Sequence, residues 1–255
     1  MRELTQSMAP SSLTPETHLP TFPVLGLPVH LADNYSQWLS SRLSQGLGTN
    51  VITLNAEMAI AAESNQPLAE LIRNADLVIP DGAGVVLYLK FKGHPIQRCP
   101  GIELAETLLH EFNQLIPSGL VFFYGGKPGI AQKAAEHFQH RIKGLAIASY
   151  HGYLSDSEEQ EMLASLQELQ PQLILVGLGV PRQEFWIAKN RHLCPDAVWI
   201  GVGGSFDIWG GEKQRAPAWF CEHHLEWLYR LYQEPWRWRR MLALPYFAWK
   251  AWLRS

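Results

Sequence analysis

Apolar residues in this chain fall into short runs, each bounded by Gly, Pro or Asp, with no long blocks. The runs are Val51–Leu54, Leu77–Ile79, Leu120–Tyr124, Leu145–Tyr150, Leu173–Val176 and Ala197–Ile200. Consecutive apolar positions over so short a span predict strands buried on both faces. Between them Gly101–Leu115, Gly129–Arg141, Asp156–Leu169 and Arg182–Arg191 mix apolar and charged residues at helical spacing and predict helices. Alternation of the two implies right-handed β-α-β crossovers. The expected fold is therefore α/β and Rossmann-like, a mostly parallel sheet with helices on both faces.

Ligands in such folds gather at the carboxyl ends of the strands. Polar residues and glycines concentrate there: Thr53-Leu54-Asn55, Pro80-Asp81-Gly82, Tyr124 to Gly129, Tyr150-His151-Gly152, Gly177 to Pro181 and Gly201 to Gly204. One crevice can collect them all.

The pattern also divides the chain. Residues 1–23 are rich in Ser, Thr and Pro, lack the apolar core of a signal peptide, and read as a disordered tail. Residues 24–214 form the expected catalytic core. From 215 to 255 the composition turns basic and aromatic. In the last thirty residues lie Trp227, Trp236, Trp238, Trp249 and Trp252, and six cations (Arg230, Arg237, Arg239, Arg240, Lys250, Arg254) face two anions (Glu226, Glu234). Plotted at about 100° per residue, Trp238, Met241, Leu242, Tyr246, Trp249, Trp252 and Leu253 share one arc, with the cations from Arg237 onward opposite. Trp236, Leu244 and Phe247 break the pattern, and Pro245 is expected to kink the helix. The appendage could be an ordinary helical cap. Trp clustered with Arg also suits a membrane interface, and the appendage is read as membrane-associating.

Bulk properties narrow the function. A hydrophobic content of 47% supports a large core, and a net charge of −3 argues against nucleic acid as a partner of the whole protein. Cys99, Cys194 and Cys221 form no C-x-x-C pair and suit a reducing compartment. No run reaches the roughly 18 apolar residues of a membrane-spanning helix.

Each candidate site residue has a structural reading beside its functional one. Asp81 ends a strand where a carboxylate can act as a general base, or it can cap a turn. Gly125 and Gly126 turn the chain into a helix start that favours a phosphate, or serve the turn alone. Gln183 can present its amide to a uracil ring or a sugar hydroxyl, while Glu184 suits the helix dipole. Arg98, Arg215, Arg230, Arg237 and Arg240 can fork onto a diphosphate, or be solvated. The absence of a D-x-D pair leaves positive side chains, with no metal and no cofactor, to neutralise a leaving group.

Taken in order, these segments resemble the WecG/TagA/CpsF glycosyltransferase family. The blocks that carry the resemblance are Thr53-Leu54-Asn55-Ala56-Glu57, Ala75 to Gly82, Arg98-Cys99-Pro100-Gly101, Tyr124 to Gly129, His151-Gly152-Tyr153, Gly177 to Glu184, Gly201 to Asp207, Arg215-Ala216-Pro217 and Glu226 to Leu231. Leu54 stands where many relatives have proline, and Arg182 where lysine is frequent. The resemblance implies inverting transfer of N-acetylmannosamine, or its uronic acid, from a UDP-sugar donor to a polyprenyl-diphosphate-linked N-acetylglucosamine acceptor. It implies Asp81 as the base, and Thr53, Asn55 and Gln183 as donor or acceptor contacts. Arg98, Arg230, Arg237 and Arg240 are implied as diphosphate partners. A cytoplasmic protein held peripherally at the inner face of the plasma membrane follows from the same resemblance. Exposed tail aromatics leave homo-oligomer formation open. Two rivals are a dinucleotide-dependent oxidoreductase, disfavoured by the lack of G-x-G-x-x-G after the first strand, and a non-catalytic membrane-binding scaffold.

Overall fold

The structure is a computed structural model and describes residues 18–223 and 225–253. An antiparallel hairpin, β1 (Thr21–Val24) and β2 (Leu27–His30), opens the chain. Then follow α1 (Tyr35–Ser44), β3 (Thr49–Leu54), α2 (Ala56–Ser64), α3 (Gln66–Arg73), β4 (Leu77–Pro80), α4 (Ala83–Phe91) and α5 (Gly101–Leu115). The second half runs β5 (Leu120–Gly125), α6 (Ile130–Arg141), β6 (Ala146–Tyr150), α7 (Asp156–Leu169), β7 (Leu173–Gly177), α8 (Arg182–Asn190) and β8 (Val198–Gly201). Five helices complete it: α9 (Ser205–Trp209), α10 (Ala218–Glu222), α11 (Glu226–Gln233), α12 (Trp238–Met241) and α13 (Ala243–Leu253).

Strands β3 to β8 form a six-stranded parallel sheet in the order β4-β3-β8-β7-β5-β6. Every residue of β3, β4 and β8 is buried, which is why these strands read as unbroken apolar runs. The edge strand β6 is buried nowhere along its length. Successive side chains point to opposite faces. Val51, Ile79, Phe123, Leu175 and Ile200 meet residues of α1, α5, α6 and α9 on one face. On the other, Ile52, Leu54 and Val78 meet α2, α3, α4 and the hairpin, while Phe122, Tyr124, Val176 and Trp199 meet α7 and α8. Side-chain caps fix helix starts, among them Asn55, whose Oδ1 accepts from Met58 N at 3.0 Å to begin α2, and the Ser155–Glu158 pair, which cap each other's backbone at α7.

Three expectations change. Residues Thr21 to Pro23, placed in the tail, belong to β1, and residues 1–17 lie outside the described residues. The kink expected at Pro245 is replaced by a turn at Leu242 that interrupts the helix between α12 and α13. Pro245 then falls in the first turn of α13, where a missing N–H disrupts no hydrogen bond. The third concerns how the appendage sits. Phe247 and Leu244, outside the aromatic arc, dock α13 onto the core: Phe247 is 3% exposed and meets Tyr88 edge-on, their ring centroids 6.3 Å apart. Burying such a ring contributes about 1.5–3 kcal/mol. Part of the basic side also faces protein, since Lys250 Nζ lies 2.8 Å from Glu63 Oε2 and Arg240 Nε 3.5 Å from Glu57 Oε1, both on α2. The arc residues Trp238, Leu242, Tyr246, Trp249, Trp252 and Leu253 are exposed. No described helix is long and apolar enough to cross a membrane.

Candidate functional site

The carboxyl edge of the sheet carries two clefts. The first, about 130 Å³, is lined by Asn55, Glu57, Asp81 and Arg98 from the core and by Glu226, Trp227, Arg230, Arg240, Met241 and Leu244 from the appendage. Asp81 follows directly on β4, and its backbone N–H donates to Leu54 O at 3.0 Å. Gly82 lets the chain approach Asn55, because a Cβ there would lie 2.8 Å from Asn55 Cβ. The Asp81 carboxyl is pushed up to about 6, by burial above all. Arg230 and Arg98 oppose that rise, Glu226 adds to it, and the Gly101 N–H, donating to the carboxylate, opposes it too. Its neighbour Cys99 is raised by burial to about 12 and so stays a thiol at neutral pH. Asp81 is the group in this cleft poised to exchange a proton near neutrality.

Arg98 and Arg230 come from a loop before α5 and from α11, yet one carboxylate brings them together. Glu226 Oε2 lies 3.1 Å from Arg98, and Glu226 Oε1 pairs with Arg230. Burial alone would raise Glu226, but the two guanidinium groups outweigh it and hold the carboxyl below its usual range. The sequence reading counted Glu226 as one of two tail anions and as the start of a block that resembles the family, but gave it no part in the site. Its i,i+4 spacing to Arg230 was the available signal.

Other candidates are placed differently. Thr53 is buried, and its hydroxyl donates to Gly201 O at 3.3 Å across β3 and β8. Asn55 lines the Asp81 cleft while capping α2. Arg215 pairs with Glu103 of α5 and lines neither cleft. Arg240 lines the Asp81 cleft, whereas the side chain of Arg237 and residue Arg254 lie outside the described residues. Gln183, expected to present its amide, is 1% exposed and engaged inside the protein. Glu184 is buried beside it, and burial pushes its carboxyl up to about 7 despite the bond from Gln183.

The second cleft, about 300 Å³, is built from turns: Gly126-Lys127, Gly152-Tyr153, Gly177-Leu178-Gly179 and Gly203-Gly204, with Arg182, Phe206, Asp207 and Lys213. Gly125, at φ +142°, sits against β7 so closely that a Cβ would lie 2.3 Å from Gly177 O. Three cationic side chains, Lys127, Arg182 and Lys213, make this a place for an anion, while the N–H groups of Gly126, Gly152, Gly179 and Gly203 are spent inside the protein holding the turns together. Lys213 Nζ bridges Asp207 Oδ2 at 2.6 Å and Glu234 Oε1 at 3.2 Å. Lys127, Tyr153, Arg182 and Lys213 were absent from the expected site, because the turns that gather them are far apart in the chain. Among the described residues no three His, Cys, Asp or Glu side chains converge as a metal site.

Residues 22–255 match the Glycosyl transferase WecG/TagA/CpsF family. Three similar proteins are each named N-acetylglucosaminyldiphosphoundecaprenol N-acetyl-beta-D-mannosaminyltransferase. That of Bacillus spizizenii is 40% identical over 205 residues, 80% of this chain and 78% of the relative. The Bacillus subtilis protein is 34% identical over 81% of this chain and 80% of its own length, and the Staphylococcus aureus protein 32% over 78% of each.

Proposed function

The chain belongs to the WecG/TagA/CpsF glycosyltransferase family, and from that premise we propose that it transfers N-acetylmannosamine from a UDP donor to a polyprenyl-diphosphate-linked N-acetylglucosamine, with inversion and without a metal. The observation that carries the reading is the Asp81 cleft: a carboxyl raised to about 6, facing a wall that bears Arg98, Arg230 and Arg240. With the acceptor hydroxyl seated against Asp81, its proton passes to the carboxylate as its oxygen bonds to the anomeric carbon. The bond from that carbon to the β-phosphate oxygen breaks, and UDP leaves. A single displacement inverts the centre. The two carboxylates that share the cleft are engaged elsewhere, Glu226 by Arg98 and Arg230 and Glu57 by Arg240, which favours one displacement over a covalent intermediate.

The glycine turns keep the cleft open to the UDP diphosphate, and Lys127, Arg182 and Lys213 supply positive charge where the leaving group gains negative charge. The exposed aromatic arc would rest in the headgroup region of the inner membrane face, where a lipid-linked acceptor is presented. UDP release from UDP-N-acetylmannosamine, measured with and without an acceptor analogue in detergent micelles containing EDTA, tests the reading. Acceptor-dependent, EDTA-resistant release with a disaccharide-lipid product is expected. Absence of release with this donor and with its uronic acid would overturn it.

A further inference from the structure

Gln183 and Glu184 open α8 with side chains turned into the protein, 1% and 3% exposed. The orientation of the Gln183 amide is forced. Two backbone donors, Gly179 N at 3.2 Å and Gly203 N at 3.0 Å, reach the same amide atom, and only an oxygen can accept from both. That atom is Oε1. The amide nitrogen therefore points the other way, where Nε2 donates to Glu184 Oε1 at 2.8 Å. Gly179 belongs to the turn after β7 and Gly203 to the turn after β8, and both turns line the glycine cleft. The amide lies flat against the end of β8: a Cβ on Gly201 would come within 2.4 Å of Nε2.

Two glycine turns from separate strands are thus tied through one side chain, whose amide nitrogen is held by one carboxyl. Glu184 Oε2 is buried and has no hydrogen-bond partner in the protein. A buried carboxyl with an unpaired oxygen opposes folding, so packing alone does not account for it. Helix-dipole complementarity requires a carboxylate near the first turn. It does not require one aimed at an amide.

We propose that Glu184 is a positioning residue for the donor. By accepting from Nε2 it anchors the Gln183 amide where its Oε1 ties the Gly179 and Gly203 turns together, and so sets the width of the cleft for the nucleoside diphosphate. Without an acceptor at Glu184, Nε2 is left buried and unpaired, and the amide shifts toward another partner. A shift of Oε1 away from the two glycine N–H groups loosens the tie between the turns. The inference rests on the glycine cleft being the donor site.

The test uses the full chain, UDP as the probe in calorimetry, and steady-state kinetics with donor and acceptor varied separately. Glu184→Met keeps the volume and removes the acceptor. Its UDP Kd and donor KM are expected to rise about tenfold, the effect of one buried hydrogen bond. Acceptor KM and kcat stay within about twofold, and Tm changes little, because losing an unpaired buried carboxyl offsets the Gln183 Nε2 donor left without a partner. Glu184→Gln can accept the same bond through Oε1 and is expected to restore wild-type donor KM. Wild-type UDP affinity in Glu184→Met, a Glu184→Gln variant as impaired as Glu184→Met, or a lowered Tm with unchanged donor KM would overturn the proposal. Failure of both variants to fold would also overturn it, making Glu184 a residue of stability. The unmutated chain separates the two readings: if it does not bind UDP, the donor cleft itself is misplaced.

Discussion

The two clefts share one sheet edge and are made of opposite materials. Around Asp81 the walls are charged side chains, several of them from the appendage, whereas the other cleft is framed by glycine turns following β5, β6, β7 and β8. A cleft of side chains exists only while its separate elements are docked, but one of strand-end turns is inherent in the sheet. On the proposed function, the comparison teaches that binding the nucleotide and completing the chemistry would be separable properties of this molecule.

The largest expected effect tests that separation directly. Asp81→Asn should lower kcat by about 10²–10⁴-fold, the usual contribution of a general base, while UDP affinity by calorimetry is unchanged. A parallel loss of UDP binding would merge the two clefts into one. Phe247→Ala comes next. Emptying the pocket that seats α13 should cost about 3 kcal/mol of docking. Turnover should fall steeply and limited proteolysis should cut the last helices first, with UDP affinity again preserved. Gly125→Ala reverses the pattern: its Cβ would meet Gly177 O at 2.3 Å, so UDP affinity should weaken about tenfold or more, with the appendage as protease-resistant as before. The smallest effect is in pH. If Asp81 must be ionised, log kcat/KM rises with pH up to about 6 and then levels. Arg230→Ala removes a cation that lowers this value and should move the limb to higher pH. Glu226→Gln removes an anion that raises it and should move the limb lower. Shifts of the same sign in a pH–rate series would mean that the guanidinium pair, not its net charge, sets the limb.

Much of the fold could be read from the sequence because parallel strands buried on both faces leave unbroken apolar runs, and the glycines and Asp81 that end those runs fall at the sheet edge. The hairpin was missed for a local reason. Its turn, Leu25-Gly26, has φ of 50° and 84°, a conformation usually signalled by Asn or Asp before Gly, and Pro23 argued against a strand. Residue type placed Gln183 correctly at the first turn of α8, but no sequence pattern tells an amide facing the cleft from one facing a buried neighbour. The helical plot separated two faces of the tail without saying which was buried. The turn at Leu242 shifted the phase, and Leu244 and Phe247, which looked like defects, turned out to be the anchor. Glu226 gained its meaning only when Arg98, 128 positions earlier, was folded against it.

Lys213 gives the separability of the clefts a limit. Burial would lower its charge affinity, but hydrogen bonds to Asp207 and Glu234 overcome this and hold the ammonium charged. One of its partners borders the glycine cleft, and the other follows the last residue of α11. An ammonium shared in this way ties the appendage to the glycine cleft. If the proposed function holds, linkage would run equally in both directions: whatever factor a lipid surface added to nucleotide affinity by seating the helices, a bound nucleotide would return to the protein's grip on the surface.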